Sequence, residues 1–132
     1  MPSENPPPAR SNPGVDATLK RHGGLSYLEI PATNLDASER FYRAVLGWNI
    51  QGGKFSDNAN FLIGRFITSR PPPQNPGMIP YFYVDNIRQS FQSALAAGGR
   101  EIKPIYAEAD LWVAVIQDPA GNTLGLWEEA HP

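Results

Sequence analysis

From Gly23 onward the chain alternates short runs of strand-like hydrophobicity with two stretches of helical period. "LSYLEI" alternates and is bounded by glycines and Pro31, which predicts a strand. Asn34 or Asp36 can then cap a helix, and Asp36 with Glu39 has capping-box spacing. Phe41, Tyr42, Val45 and Leu46 give that helix one apolar face, and Gly47 ends it. "WNIQ" and "NFLIGRFITS" predict two or three more strands, joined by the turn-rich "GGKFSDN". After "RPPPQNPG" the pattern starts again. "MIPYFYVD" predicts an aromatic-rich strand. "NIRQSFQSALAAGG" predicts a helix capped by Asn86, with Ile87, Phe91, Ala94 and Leu95 inward. "REIKPIY", "LWVAVIQ" and "NTLGLWEE" predict three closing strands, the last entered through the turn "DPAGN".

The order is therefore β-α-β-β-β, a proline-rich linker, and β-α-β-β-β again. An offset of 52 residues lays Asn34, Ser38, Ala44, Gly47 and Ile50 on Asn86, Ser90, Ala96, Gly99 and Ile102. Identities and element order together predict a duplicated unit. The expected fold is α+β: two paired βαβββ modules whose curved mixed sheets surround a central trough, with helices outside. Module one spans 23–70, the linker 71–77 and module two 78–130. Residues 1–22 precede this domain (23–130) as a proline-rich tail, either a solvated extension or an arm that clasps a partner.

Composition narrows the function classes. The chain has 132 residues, enough for one domain with its own core. Its formal charge of −2 gives no electrostatic case for nucleic acid or an anionic membrane. No apolar run approaches the roughly 18 residues of a membrane helix, and the N-terminus lacks the apolar core of a signal peptide. With no cysteine, disulfides, thiolate metal sites and Cys nucleophiles are excluded, and a cytoplasmic location is expected. The histidines, His22 and His131, flank the domain and suit solvent better than a metal or a catalytic triad. "AAGGR" follows a helix instead of preceding one, so it is not a phosphate loop.

"FYRAVLGW" closing the first helix, "YFYVDNI" opening the second unit and "DPAGN" before the last strand resemble the vicinal oxygen chelate superfamily. That group includes glyoxalase I, extradiol dioxygenases and bleomycin-resistance proteins. The resemblance covers about residues 23 to 129 and is strongest to small stand-alone glyoxalase-like proteins. It implies paired βαβββ modules, a homodimer and, in metal-dependent members, a divalent ion held by His on the first strands and Glu on the last. In this chain those positions fall on Tyr27, Ile79 and Gly125. Module one has no Glu between Glu39 and Glu101; its nearest acids are Asp57 and Asp85. No divalent metal or other cofactor is expected.

Strand parity sorts the remaining candidates. Tyr27, Glu29, Ile79, Tyr81, Tyr83, Gly125 and Trp127 fall on the trough side. Leu28, Ile30, Phe82, Val84, Leu124 and Leu126 fall beneath the helices. The first set suits a ligand cavity, a filled interior or a dimer interface. The register of Trp112 is open. Glu29, with Tyr27, is the candidate for acid–base chemistry; alternatively it pairs with an arginine or meets water. Arg43, Arg65 and Arg70 are candidates to meet an anionic ligand. The preferred reading is a metal-free protein that binds a small organic molecule in an aromatic trough. The alternatives are a lyase, isomerase or dioxygenase-type enzyme using metal-free chemistry or a relocated metal, and an interaction module whose trough a partner covers.

Overall fold

The computed structural model describes residues 16–130. Most of the expected tail, residues 1–15, and His131 lie outside the described residues. Residues 17–19 form a single 3₁₀ turn capped by Asp16. The Thr18 hydroxyl donates to the Asn60 carbonyl at 2.6 Å, and the Arg21 guanidinium lies 5.0 Å from the Phe61 ring centre. His22 is exposed just ahead of the first strand.

Module one is built from β1 (Tyr27–Pro31), α1 (Leu35–Leu46), β2 (Asn49–Gln51), β3 (Lys54–Ser56) and β4 (Ile63–Ile67). Its sheet runs β1-β4-β3-β2, with β1 parallel to β4. Module two repeats the plan with β5 (Tyr81–Tyr83), α2 (Ile87–Ala96), β6 (Arg100–Glu108), β7 (Leu111–Gln117) and β8 (Thr123–Glu129), ordered β5-β8-β7-β6. The α+β class and the repeated mixed-sheet module are as the sequence predicts. The two sheets are not hydrogen-bonded into one. No helix among the described residues is long and apolar enough to cross a membrane.

Local chemistry explains the element ends. Asn34, not Asp36, caps α1: its side chain accepts from the Ala37 N–H at 3.0 Å. Asp36 sits in the first turn, where a carboxylate meets the positive end of the helix dipole. Gly47 closes α1 at φ 69°, a left-handed geometry that favours glycine. "GGKFSDN" is only partly a turn. Gly52 and Gly53 make the reversal, and Lys54–Ser56 already form β3 because Phe55 buries its ring in the core. Leu95 was expected inside but is exposed. Ile87, Phe91 and Ala94 align on one stripe of α2, and Leu95 falls at its margin, about 80° from Ile87.

The core lies on the helix side of both sheets. Phe41 and Tyr42 of α1, Ile30 of β1, Phe55 and Phe66 of module one, and Ile116, Leu124 and Leu126 of module two are buried there. Trp48 stacks on Phe55 at 4.4 Å and on Tyr42 at 5.0 Å, and its edge meets Phe82 of module two at 5.6 Å. Phe41 also reaches Gly99, where a side chain would collide with it. Both modules therefore share one core, and α1 packs on α2.

A polar latch joins them as well. The buried Asp118 carboxylate accepts from the Ala120, Gly121 and Asn122 backbone N–H groups and from the Asn122 side chain. It also accepts from the buried Tyr42 hydroxyl at 2.8 Å. The Asn122 amide donates on to the Pro31 carbonyl at 2.7 Å. The "DPAGN" turn of module two is thus tied to both α1 and β1 of module one.

Candidate functional site

With the helix sides of both sheets in the core, the opposite faces look outward. Tyr27, Glu29 and Arg65 lie on the outer face of sheet one; Tyr81, Tyr83, Gly125 and Trp127 lie on that of sheet two. Tyr27, Tyr81 and Tyr83 are 49%, 49% and 52% exposed. Parity alone sorted these strand positions as the structure does. The candidates nevertheless sit on two separate sheets. Ile79 precedes β5 and is half-buried in the connection. Trp112 pairs with Glu128 and lies on the helix-side face, near the start of α2, away from Trp127.

Gly125 has a clear structural reason. It pairs with Tyr81 across the parallel β5–β8 ladder, and a Cβ on it would run into the Tyr81 ring. The ring therefore lies down on the strand in the space a side chain would take. Tyr83 meets Trp127 edge-on at 5.1 Å. Beneath these rings Val113 and Val115 are buried although they face outward. Tyr81, Trp127, Leu111, Val113 and Glu108 line a groove of about 410 Å³. Tyr106, opposite Val113, donates toward Glu108 at 3.4 Å. Desolvation, then the Glu108 charge, raises the Tyr106 phenol above its ordinary pKa. Desolvation, then Asp85, Glu128 and Glu129, does the same for Tyr83. Glu108 and Glu129 stand on this outer face, with Lys103 opposite Val115.

The face of module one has a different character. Glu29 lies between Arg65, which binds one of its oxygens at 2.9 Å, and Arg70, 3.5 Å from the other. Both arginines are about half exposed, and the carboxylate they hold stands at the edge of an apolar concavity beside β1. Of the readings open to Glu29, pairing with arginine is the one the geometry displays. Arg43 is spent elsewhere: it donates to the Ile50 carbonyl and pairs with Glu39 within module one.

A second concavity, about 190 Å³, opens at the seam between β1 and β5 under the proline-rich linker. Leu28, Ile30, Phe82 and Leu124 form its walls, with Pro76 and Met78 above. Its Tyr42 hydroxyl and Asn122 amide are already engaged by Asp118 and Pro31, and Glu29 at its edge is paired with Arg65 and Arg70. It offers mainly apolar contact, with its one carboxylate already held by two guanidinium groups. The groove of module two is larger and combines rings with an accessible carboxylate. Sequence reasoning missed Glu108, Leu111, Val113 and Tyr106 there, because they lie on β6 and β7 and enter only through strand register.

A metal does not fit the residues present. Among the described residues no three His, Cys, Asp or Glu side chains stand together as a possible ligand set. Tyr27 and Gly125 occupy two of the expected ligand positions, and at Gly125 the room for a carboxylate is filled by the Tyr81 ring. Glu29 is held by two guanidinium groups, whose charge disfavours a nearby cation.

Comparison with known proteins agrees with this architecture. Residues 27–127 match the family model described as "Glyoxalase-like domain". The chain belongs to that family and shares the vicinal oxygen chelate architecture. A search of curated proteins gave no match. Among solved structures, it is similar to a glyoxalase/bleomycin resistance protein from Albidiferax ferrireducens T118, at 22% identity and a TM-score of 0.64, covering 78% of this chain and 96% of that one. A glyoxalase/bleomycin resistance protein/dioxygenase family enzyme from Burkholderia phytofirmans PsJN gives 21% identity and 0.64, covering 79% and 97%. An antibiotic binding protein from Streptomyces sp. CB03234 gives 14% identity and 0.61, covering 77% and 92%. At these identities the likeness is one of fold.

Proposed function

We propose that this protein binds a small organic molecule on the aromatic face of module two, without a metal, and works as a cytoplasmic homodimer. The observation that carries the reading is the ring platform of Tyr81, Tyr83 and Trp127, its two tyrosines half open to solvent, over a glycine that makes room for Tyr81. Exposed rings over a buried apolar floor gain by accepting a flat apolar ligand. The antibiotic-binding structural relative supports the same kind of use for this fold. The outward faces supply the case for a dimer: module one offers Lys54 with Arg65 and Arg70 around the single Glu29, and module two offers Asp85, Glu108 and Glu129 against Lys103. Opposite charges favour apposition of unlike faces from two copies. The cysteine-free chain suits a reducing compartment.

Non-denaturing mass spectrometry tests the proposal. Untagged protein, purified without chelator, is exposed separately to Fe(II), Mn(II), Ni(II) and Zn(II). A dimer without bound metal is the expected species. In parallel, acridone, an uncharged planar tricycle, should quench tryptophan emission and bind about ten-fold more weakly to Tyr81→Ala. One tightly held metal per chain, or acridone binding that ignores Tyr81→Ala, would overturn the reading.

A further inference from the structure

We infer that the groove on module two selects an organic cation: a flat, apolar molecule carrying an ammonium or amidinium group that the Glu108 carboxylate receives. This deepens the small-molecule reading and rests on it. The groove brings together ring faces, an apolar floor and one carboxylate. Tyr81 lies over Gly125, where a side chain would collide with its ring, and the ring lines the groove beside Trp127. Aromatic rings attract cations through their quadrupole, most strongly where water is partly excluded.

The chain already shows that attraction on this surface. The Lys103 ammonium lies 5.9 Å from the centre of the Tyr106 ring. It stands on the far side of Tyr106 from Leu111 and Trp127, in the β6 register opposite Val115, with Arg100 further away opposite Gln117. The charges nearest the groove are acids. Glu108 lines the groove, Glu129 pairs with Leu111 at its rim, and Asp85 and Glu128 act on the neighbouring Tyr83. A carboxylate beside aromatic walls, with no guanidinium lining the groove, complements a cation and repels an anion. Glu108 is exposed and its oxygens have one long contact, from Tyr106, so it has capacity for a ligand donor.

The test uses three planar tricycles of similar size and different charge: proflavine as the cation, acridone as the neutral molecule and anthracene carboxylate as the anion. Affinities are read by tryptophan quenching and calorimetry on the full chain. Proflavine should bind about ten-fold more tightly than acridone, and anthracene carboxylate most weakly. Glu108→Gln, a change at an exposed position, should bring proflavine affinity down to that of acridone. Equal affinity for all three overturns the cation assignment and leaves the small-molecule reading standing. Failure of all three to bind overturns both. If Glu108→Gln leaves dye affinities alone but lowers the dimer fraction at equal concentration, the carboxylate serves a second copy and the cation assignment falls.

Discussion

At the scale of single residues, Gly125 and Tyr81 are one feature. A glycine in a strand interior gives up packing and backbone entropy. Here the loss is offset by a ring that covers the gap. Gly125→Ala inserts a methyl group into that ring. The expected cost is about 1–3 kcal/mol in chemical denaturation, together with a change in acridone affinity, since Tyr81 must leave the strand. A stability loss without any effect on binding would mean that the ring does not form the platform. Glycine in "LGLWE" was legible as an anomaly, and parity gave the face it borders. What took its place was not legible, because the answer lies on β5, more than forty residues earlier in the chain.

At the scale of elements, the repeated caps and hydrophobic stripes made the order of strands and helices readable. The cap of α2 is only half local. Asn86 accepts from Gln89, but the first helical N–H, that of Ile87, is accepted by Glu128 from β8. Glu128→Ala should cost about 1 kcal/mol, comparable to losing a helix cap, with far-UV circular dichroism showing earlier loss of helix on urea titration. Glu128→Gln should recover part of it. No spacing within one element announces such a contact. For the same reason Lys54–Ser56 read as a turn: two glycines dominate the local pattern, and the burial of Phe55 that makes it a strand is tertiary. The groove residues of β6 were hidden further by two register shifts, which break the simple alternation between Glu101 and Tyr106.

At the scale of the whole molecule, two modules share a core and a buried polar latch. Burial, then the Asp118 charge, holds the Tyr42 phenol well above its usual pKa near 10. In the unfolded chain it returns to that ordinary value. The folded state therefore keeps a proton that the unfolded state releases above about pH 10, and stability falls as pH rises past that point. Below it the contribution is fully present. Tyr42→Phe should cost about 1–2 kcal/mol at neutral pH, since it takes one donor from a buried carboxylate. It should also flatten the loss of stability above about pH 10, read from urea midpoints. An unchanged alkaline slope would mean that other groups govern it.

The latch and the shared core have a consequence for how the chain is held together. The ties described between the halves, from Tyr42 with Asp118 to Trp48 with Phe82, are noncovalent, and the proline-rich connection runs over the seam. The peptide between them is a tether that raises the local concentration of one half near the other. A nick there should leave the two fragments associated through the shared core, read as co-elution on gel filtration. The protein is in this sense a complementation pair supplied on one string: its two halves, made as separate chains, are expected to reunite through that core.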